Sequence, residues 1–322
     1  MPEFIALMPL SRDLILLIVV LVINGVISCF SQYQPLRFFQ FYCSQLADKV
    51  NRVNNSIQQQ TLAGCLALFI TMAPIVIILW LFADFVAVDI LWQGLLLYLA
   101  LGTISLGKIT KSIAQALVAN KTYIAKKLLR PWLLRDIQLL STLGLSKATI
   151  EMQLLRITQQ VYVVCFIYLC AGALAALSYR LLLEIHYCWN TKLTQFHYFG
   201  LFSQRLVKIL QWLPSRLMAL LMLIANLESN RVLFWRLTRM YFFKLNDDFV
   251  IATHALVLGV RLGGVAMYNE QKLRKIAFND LAKQPEPRDI IIATAKINFC
   301  LYASLVLLIV VTFCYEIFSL ML

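Results

Sequence analysis

Between Leu62 and Ala83 the chain runs for 22 residues without one charged side chain. A helix needs about 20 apolar residues to cross the hydrocarbon core of a bilayer, so this run is long enough. Similar runs recur at 14–30, 90–106, 161–183, 206–227 and 298–320, the fifth interrupted by Lys208 and Arg216. Overall, 61% of residues are hydrophobic and only 14% charged. Soluble domains average about 45–50% and 25%. The sequence therefore excludes a soluble enzyme and a disordered chain. It predicts an all-α, polytopic helical membrane protein of one domain with about six transmembrane helices.

The charge that remains is lopsided, with 29 Lys and Arg against 16 Asp and Glu. In so apolar a chain this marks loops facing cytoplasm and anionic lipid rather than nucleic acid. Residues 107–160 carry nine basic and two acidic residues, and 228–297 carry eleven and seven. With six spans these loops and 31–60 fall on one side, which the positive-inside rule makes cytoplasmic. Both termini and segment 184–205 are then expected outside, and the protein in a bacterial inner membrane. Ile113, Leu117, Ile124 and Leu128 recur at helical spacing among lysines, the pattern of amphipathic helices on the membrane surface or against the bundle. Gly144 is expected to end an element, with Ser146 as the next N-cap.

Soluble-enzyme motifs are missing: there is no Walker A loop, no G-x-G-x-x-G, no H-E-x-x-H and no G-x-S-x-G. Eight cysteines without a Cys-x-x-Cys, and three scattered histidines, predict no metal site. Four polar stretches beside the spans are left to carry chemistry. They are Gln34-Pro35-Leu36-Arg37; Arg135-Asp136 ahead of Ala148–Glu151; Phe199-Gly200 through Ser203 to Trp212-x-Pro214-x-Arg216-Leu217; and Gly259-Val-Arg261-Leu-Gly263-Gly264. Each has a plain structural reading. Arg135-Asp136 reads as a solvated pair, Pro214 as a kink with Arg216 snorkelling to the headgroups, and Gly263-Gly264 as a helix end.

Taken in order, the four stretches resemble the cobinamide-phosphate synthase family of cobalamin biosynthesis (the CbiB/CobD type). The family's His-Pro-Val-Arg, Arg-Asp-Thr and Ile-Pro-Ala-Arg-Leu are similar to residues 34–37, 135–137 and 213–217, and its Gly-Val-Arg-Leu-Gly-Gly stands unchanged at 259–264. The resemblance implies an amide bond between adenosylcobyric acid and aminopropanol phosphate, with ATP and Mg²⁺. It implies Asp136 and Glu151 as catalytic residues. Arg37, Arg135, Arg216, Asn246, Arg261, Gly263 and Gly264 would hold a corrinoid or phosphorylated ligand.

The departures fall on the chemical positions. The family's His is Gln34; acids and an Asn fall at Leu155, Arg156, Gln159, His186, Lys208 and near Ile251. Magnesium takes carboxylate oxygens, so the scaffold resembles the family more closely than the active site does. The inner-membrane signalling protein AmpE resembles the same superfamily and also lacks most of those polar residues. Trp212-x-Pro214-x-Arg216-Leu217 and the Ile292–Ile297 stretch entering the last span, with Ala293, Ala295 and Lys296, fit that branch equally well. A non-catalytic signalling or assembly protein with membrane partner proteins is therefore the alternative.

Overall fold

A computed structural model describes residues 9–30, 36–52, 55–102, 106–225, 239–245, 247–268 and 271–321. Its described residues form a helical bundle with one β-hairpin. The helices are α1 (Pro9–Phe30), α2 (Arg37–Val50), α3 (Ile57–Ala83), α4 (Asp89–Ala100), α5 (Leu106–Val118) and α6 (Thr122–Leu129). They continue with α7 (Thr142–Ile157), α8 (Val163–Cys188), α9 (Leu201–Ile224), α10 (Asp248–Leu258) and α11 (Pro287–Met321). Five stretches are long and apolar enough to cross a membrane: Ser11–Ser28, Ile57–Ala83, Thr142–Cys188, Leu201–Ile224 and Pro287–Tyr315. The protein is thus an all-α polytopic membrane protein. In α3 a Ser56/Gln59 capping box starts the helix, satisfying two N–H groups that the helix itself leaves without a partner. Leu66, Ile70, Ile78 and Trp80 stay exposed along it, as side chains facing lipid do.

The run 161–183 is not one continuous helix. A π-helical turn, Thr158–Tyr162, joins α7 to α8, and α8 breaks at Gly172, where φ is 83° and ψ is 178°. This region of the map is essentially closed to residues with a Cβ, so only glycine reverses the chain here without strain. The second leg comes back along the first. Tyr187 donates through its hydroxyl to Gln159 Oε1 at 2.8 Å, and Tyr179 donates to the Gln159 carbonyl at 3.2 Å. An unbroken helix would put Tyr187 and Gln159 about 42 Å apart at 1.5 Å per residue. The segment after Cys188 therefore returns to the α7 end of the hairpin, where Trp189 Nε1 donates to the Cys43 carbonyl of α2 at 3.0 Å. Near the turn, Tyr168 lies within electrostatic reach of Asp13 and Asp89 at the opposite end.

The elements after α9 also stay with α7. Gln153 on α7 donates to the Ile290 carbonyl at 3.3 Å, and Glu151 accepts from the Gly263 N–H at 2.8 Å. The expected fifth span, 206–227, overlaps α9, which is long and apolar enough to cross a membrane. Ser141, not Ser146, caps α7; Gly144 lies inside its first turn, and Ser146 back-bonds to Thr142. Two strands, β1 (Leu262–Tyr268) and β2 (Gln271–Phe278), pair antiparallel as a hairpin, with a bulge between Gly263 and Val265. The helix end expected at Gly263-Gly264 comes earlier, at Gly259 (φ 63°).

Candidate functional site

The hairpin of α7 and α8 creates a concavity that neither helix would make alone. One wall is α7 and the π turn, contributing Glu151, Arg156 and Gln159. The returning leg and its continuation contribute His186, Tyr187, Asn190 and Lys192. Trp132 to Arg135 and Asp247 complete the lining of a cleft of about 130 Å³.

Arg135 and Glu151, read from the sequence as neighbours in function, meet here. Arg135 Nη1 lies 3.7 Å from Glu151 Oε2, with both side chains only about a tenth exposed. The other oxygen of Glu151 accepts the Gly263 N–H, so this carboxylate joins α7, the Arg135 segment and the β-hairpin. Gly263 has φ 74°, and a methyl there would strike the Ile276 carbonyl, so glycine is what lets the strand approach Glu151. Asp136 adds a backbone bond, its N–H donating to the Met267 carbonyl at 3.0 Å, while its side chain is exposed. The Nε and Nη2 atoms of Arg135 are buried and have no hydrogen-bond partner. Buried polar donors normally have one, so Arg135 presents two N–H groups at the cleft without a protein acceptor.

Arg156 is stacked on both sides, 4.3 Å from the Tyr187 ring centroid and 5.8 Å from that of Trp132. Such cation–π contacts hold a guanidinium flat. Together Arg135, Arg156 and Lys192 give the cleft a positive lining. Against them stand two carboxylates, both engaged: Glu151 as above, and Asp247 accepting from Gln211 Nε2 at 2.9 Å. Among the described residues no three His, Cys, Asp or Glu side chains gather where an ion would sit. A magnesium ion bound mainly by carboxylates does not fit this donor set.

Other residues expected at the site lie elsewhere. Arg216 on α9 is 3% exposed and donates from Nε to the Phe242 carbonyl at 3.0 Å and from Nη1 to Ser215 Oγ at 3.0 Å. Its Nη2 donates to the Lys244 carbonyl, and its guanidinium lies over the Trp212 and Phe249 rings. It clamps the segment 242–244 and neither snorkels nor faces the cleft. Arg261 pairs with Asp280 at 3.1 Å on the surface, and Gly264 belongs to the hairpin bulge. Arg37 is exposed on α2, apart from the cleft. Asn246 lies outside the described residues. Sequence reasoning missed Trp132, Tyr187, Asn190 and Lys192 as cleft residues. The available signal was Arg180 and Glu184, an i,i+4 pair inside an apolar run, which marks a helix packed against protein rather than lipid.

The molecule is thus a helical membrane protein with a cation-lined cleft beside a glycine-rich hairpin. The family model described as CobD/Cbib protein matches residues 17–297, and the chain belongs to this family. It is 30% identical over 215 residues to the "Cobalamin biosynthesis protein CobD" of Chromobacterium violaceum, covering 67% of this chain and 69% of the relative. The protein of the same description from Stutzerimonas stutzeri is 30% identical over 207 residues, 64% of this chain and 67% of the relative. The "Probable cobalamin biosynthesis protein CobD" of Pyrococcus furiosus is 34% identical over 128 residues, 40% and 44% of the two chains. No solved structure matches the chain.

Proposed function

We propose that this protein serves cobalamin biosynthesis in a bacterial inner membrane by binding an anionic corrinoid or phosphorylated intermediate, and that it does not itself form the amide bond. Membership of the family, with relatives described by their role in cobalamin biosynthesis, supports the pathway. One observation carries the rest: Arg135, Arg156 and Lys192 line the cleft, while its two carboxylates are already engaged. Guanidinium groups suit phosphate and carboxylate by bidentate geometry. Activating a carboxylate with ATP requires metal to offset the phosphates, and this lining lacks the acids to hold it.

The test is an assay with adenosylcobyric acid, aminopropanol phosphate, ATP and Mg²⁺, run beside thermal stabilisation by each compound. Stabilisation without product supports the proposal. Product that disappears in Asp136→Asn or Glu151→Gln would establish the synthase reading instead, which the Arg135–Glu151 pair at the cleft favours. Stabilisation by none of the compounds, with no complementation of a strain lacking the synthase, would favour the AmpE-like signalling alternative.

The cleft is proposed to open to the cytoplasm. The crossings α1, α3, α4, the two legs of the hairpin and α11 keep six passes, with both termini on the far side. Segment 184–205, however, moves to the side of the basic loops. Reporter fusions at Thr191 and at Lys126 are expected to read the same side, and opposite readings would remove this topology.

A further inference from the structure

From Gly107 to Arg135 the sequence holds seven Lys and Arg and no Asp or Glu. Most of this segment is α5 and α6, which form a helical pair on the outside of the bundle. Ile113, Ala114 and Leu117 of α5, and Ala125 and Leu129 of α6, are buried. This inner side leans on α7 and α11, and the Thr110 hydroxyl is 3.3 Å from that of Thr294. Thr294 lies just before the apolar stretch of α11, whose Phe299, Tyr302 and Val306 are exposed as lipid-facing residues are. The pair therefore sits where α11 enters the membrane.

Its outer side is mixed in a particular way. Lys111, Lys121, Lys127 and Arg130 are exposed, and none of them takes part in an ion pair among the described residues. Between them stand Val118, Tyr123 and Ile124, also exposed, Tyr123 by 77%. A soluble surface gains nothing from an exposed tyrosine and two branched aliphatics amid lysines. An interfacial helix does, since the apolar groups enter the acyl boundary while the cations meet lipid phosphates. Lysines near an anionic leaflet are attracted individually and additively.

We propose that the outer side of α5 and α6 is a binding surface for anionic phospholipid headgroups of the leaflet on the cleft side, with Lys111, Lys121 and Lys127 as the phosphate contacts and Tyr123 as the interfacial anchor. Charge complementarity and continuity with the lipid-facing side of α11 identify the occupant. The inference stands independently of what the cleft binds.

The test is native mass spectrometry of the full chain in mild detergent with equal phosphatidylglycerol and phosphatidylcholine. Wild type is expected to retain phosphatidylglycerol in preference by about threefold or more. Lys111→Gln/Lys121→Gln/Lys127→Gln should bring the ratio close to one, whereas Lys49→Gln/Arg52→Gln, equally exposed on another loop, should preserve it. No preference in wild type, a preference kept by the triple variant, or an equal loss in the control would each overturn the proposal. Melting in neutral detergent checks that the triple variant folds; if it does not, the three single variants are read instead, and a preference unchanged in all of them overturns it.

Discussion

Two arginines set in similar sequence surroundings end in opposite states. Arg216 on α9 gives its donors to Phe242, Lys244 and Ser215 and is covered by aromatic rings. Arg135, in the lining of the cleft, pairs with Glu151 and keeps Nε and Nη2 buried without an acceptor among the described residues. A guanidinium whose donors are used by carbonyls holds a fold together, whereas one that ends in a concavity with donors to spare is ready for an anion. Neighbouring residues in the sequence do not separate these cases; the distribution of acceptors does.

The sharpest way to break the comparison is Arg216→Met. It removes the clamp on 242–244 and takes the charged donor from the Phe242 and Lys244 carbonyls, a loss of roughly 2–3 kcal/mol. A large fall in thermal midpoint is expected, and Arg216→Lys should recover only part of it because lysine cannot span three acceptors. A lysine variant as stable as wild type, with ligand binding lost, would reverse the roles assigned to the two arginines.

The next effect concerns a group that lacks partners and is still not a site. His254 on α10 is fully buried with both ring nitrogens unbonded, but it lines no part of the cleft. Burial, with a smaller contribution from nearby Lys296, pushes its pKa down to about 3 from 6.5. The folded state keeps this ring neutral while the unfolded chain takes up a proton below pH 6.5. Stability is therefore lost as pH falls from 6.5 towards 3, about 2–3 kcal/mol by pH 4.5 from this residue. His254→Leu should flatten the stability profile over that window, as read by denaturant midpoints at pH 7 and 4.5. An unchanged slope would mean that the ring finds a partner, and the contrast with Arg135 would lose its control.

What the sequence disclosed and withheld follows from the same physics. Hydropathy located α1, α3 and α11, because a long uncharged run has few alternatives to crossing a membrane. It did not disclose the turn at Gly172, since one glycine among alanines and leucines leaves mean hydropathy almost unchanged. Missing that turn hid half of the cleft, because Tyr187 and Lys192 reach Arg135 only when the second leg folds back. Arg135, Glu151 and Gly263 were legible as motif residues. Their contact was not, since it depends on a bulged hairpin inside a stretch that read as a helix end.

Arg135→Gln tests the cleft directly and should cost less than the clamp. Glu151 keeps its bond from Gly263, so stability is expected to fall by only about 1–2 kcal/mol. Stabilisation by a corrinoid or by aminopropanol phosphate should largely disappear, because a ligand that no longer prefers the folded state cannot raise its midpoint. Full ligand stabilisation in this variant would move the anion site to Arg156 and Lys192 alone.

The smallest effect is expected at the residue in the best-preserved motif. Arg261 stands within Gly-Val-Arg-Leu-Gly-Gly, yet its side chain is 39% exposed and pairs with Asp280, itself 61% exposed. Exposed pairs of this kind contribute about 0–1 kcal/mol. The structural duties of the stretch fall instead on its backbone, through the left-handed cap at Gly259, the Arg261 N–H donating to the Lys283 carbonyl at 2.9 Å, and the Gly263 contact with Glu151. Arg261→Gln should thus leave the thermal midpoint within about 2 °C and ligand stabilisation unchanged, whereas Gly263→Ala should lower both by forcing β1 and β2 apart and disturbing the β1 contact with Glu151. A glutamine variant that folds normally but no longer responds to ligand would place Arg261 in contact with the bound molecule. The cleft would then extend across the hairpin, and the division between clamping and binding arginines would have to be redrawn to include a surface pair that opens on binding.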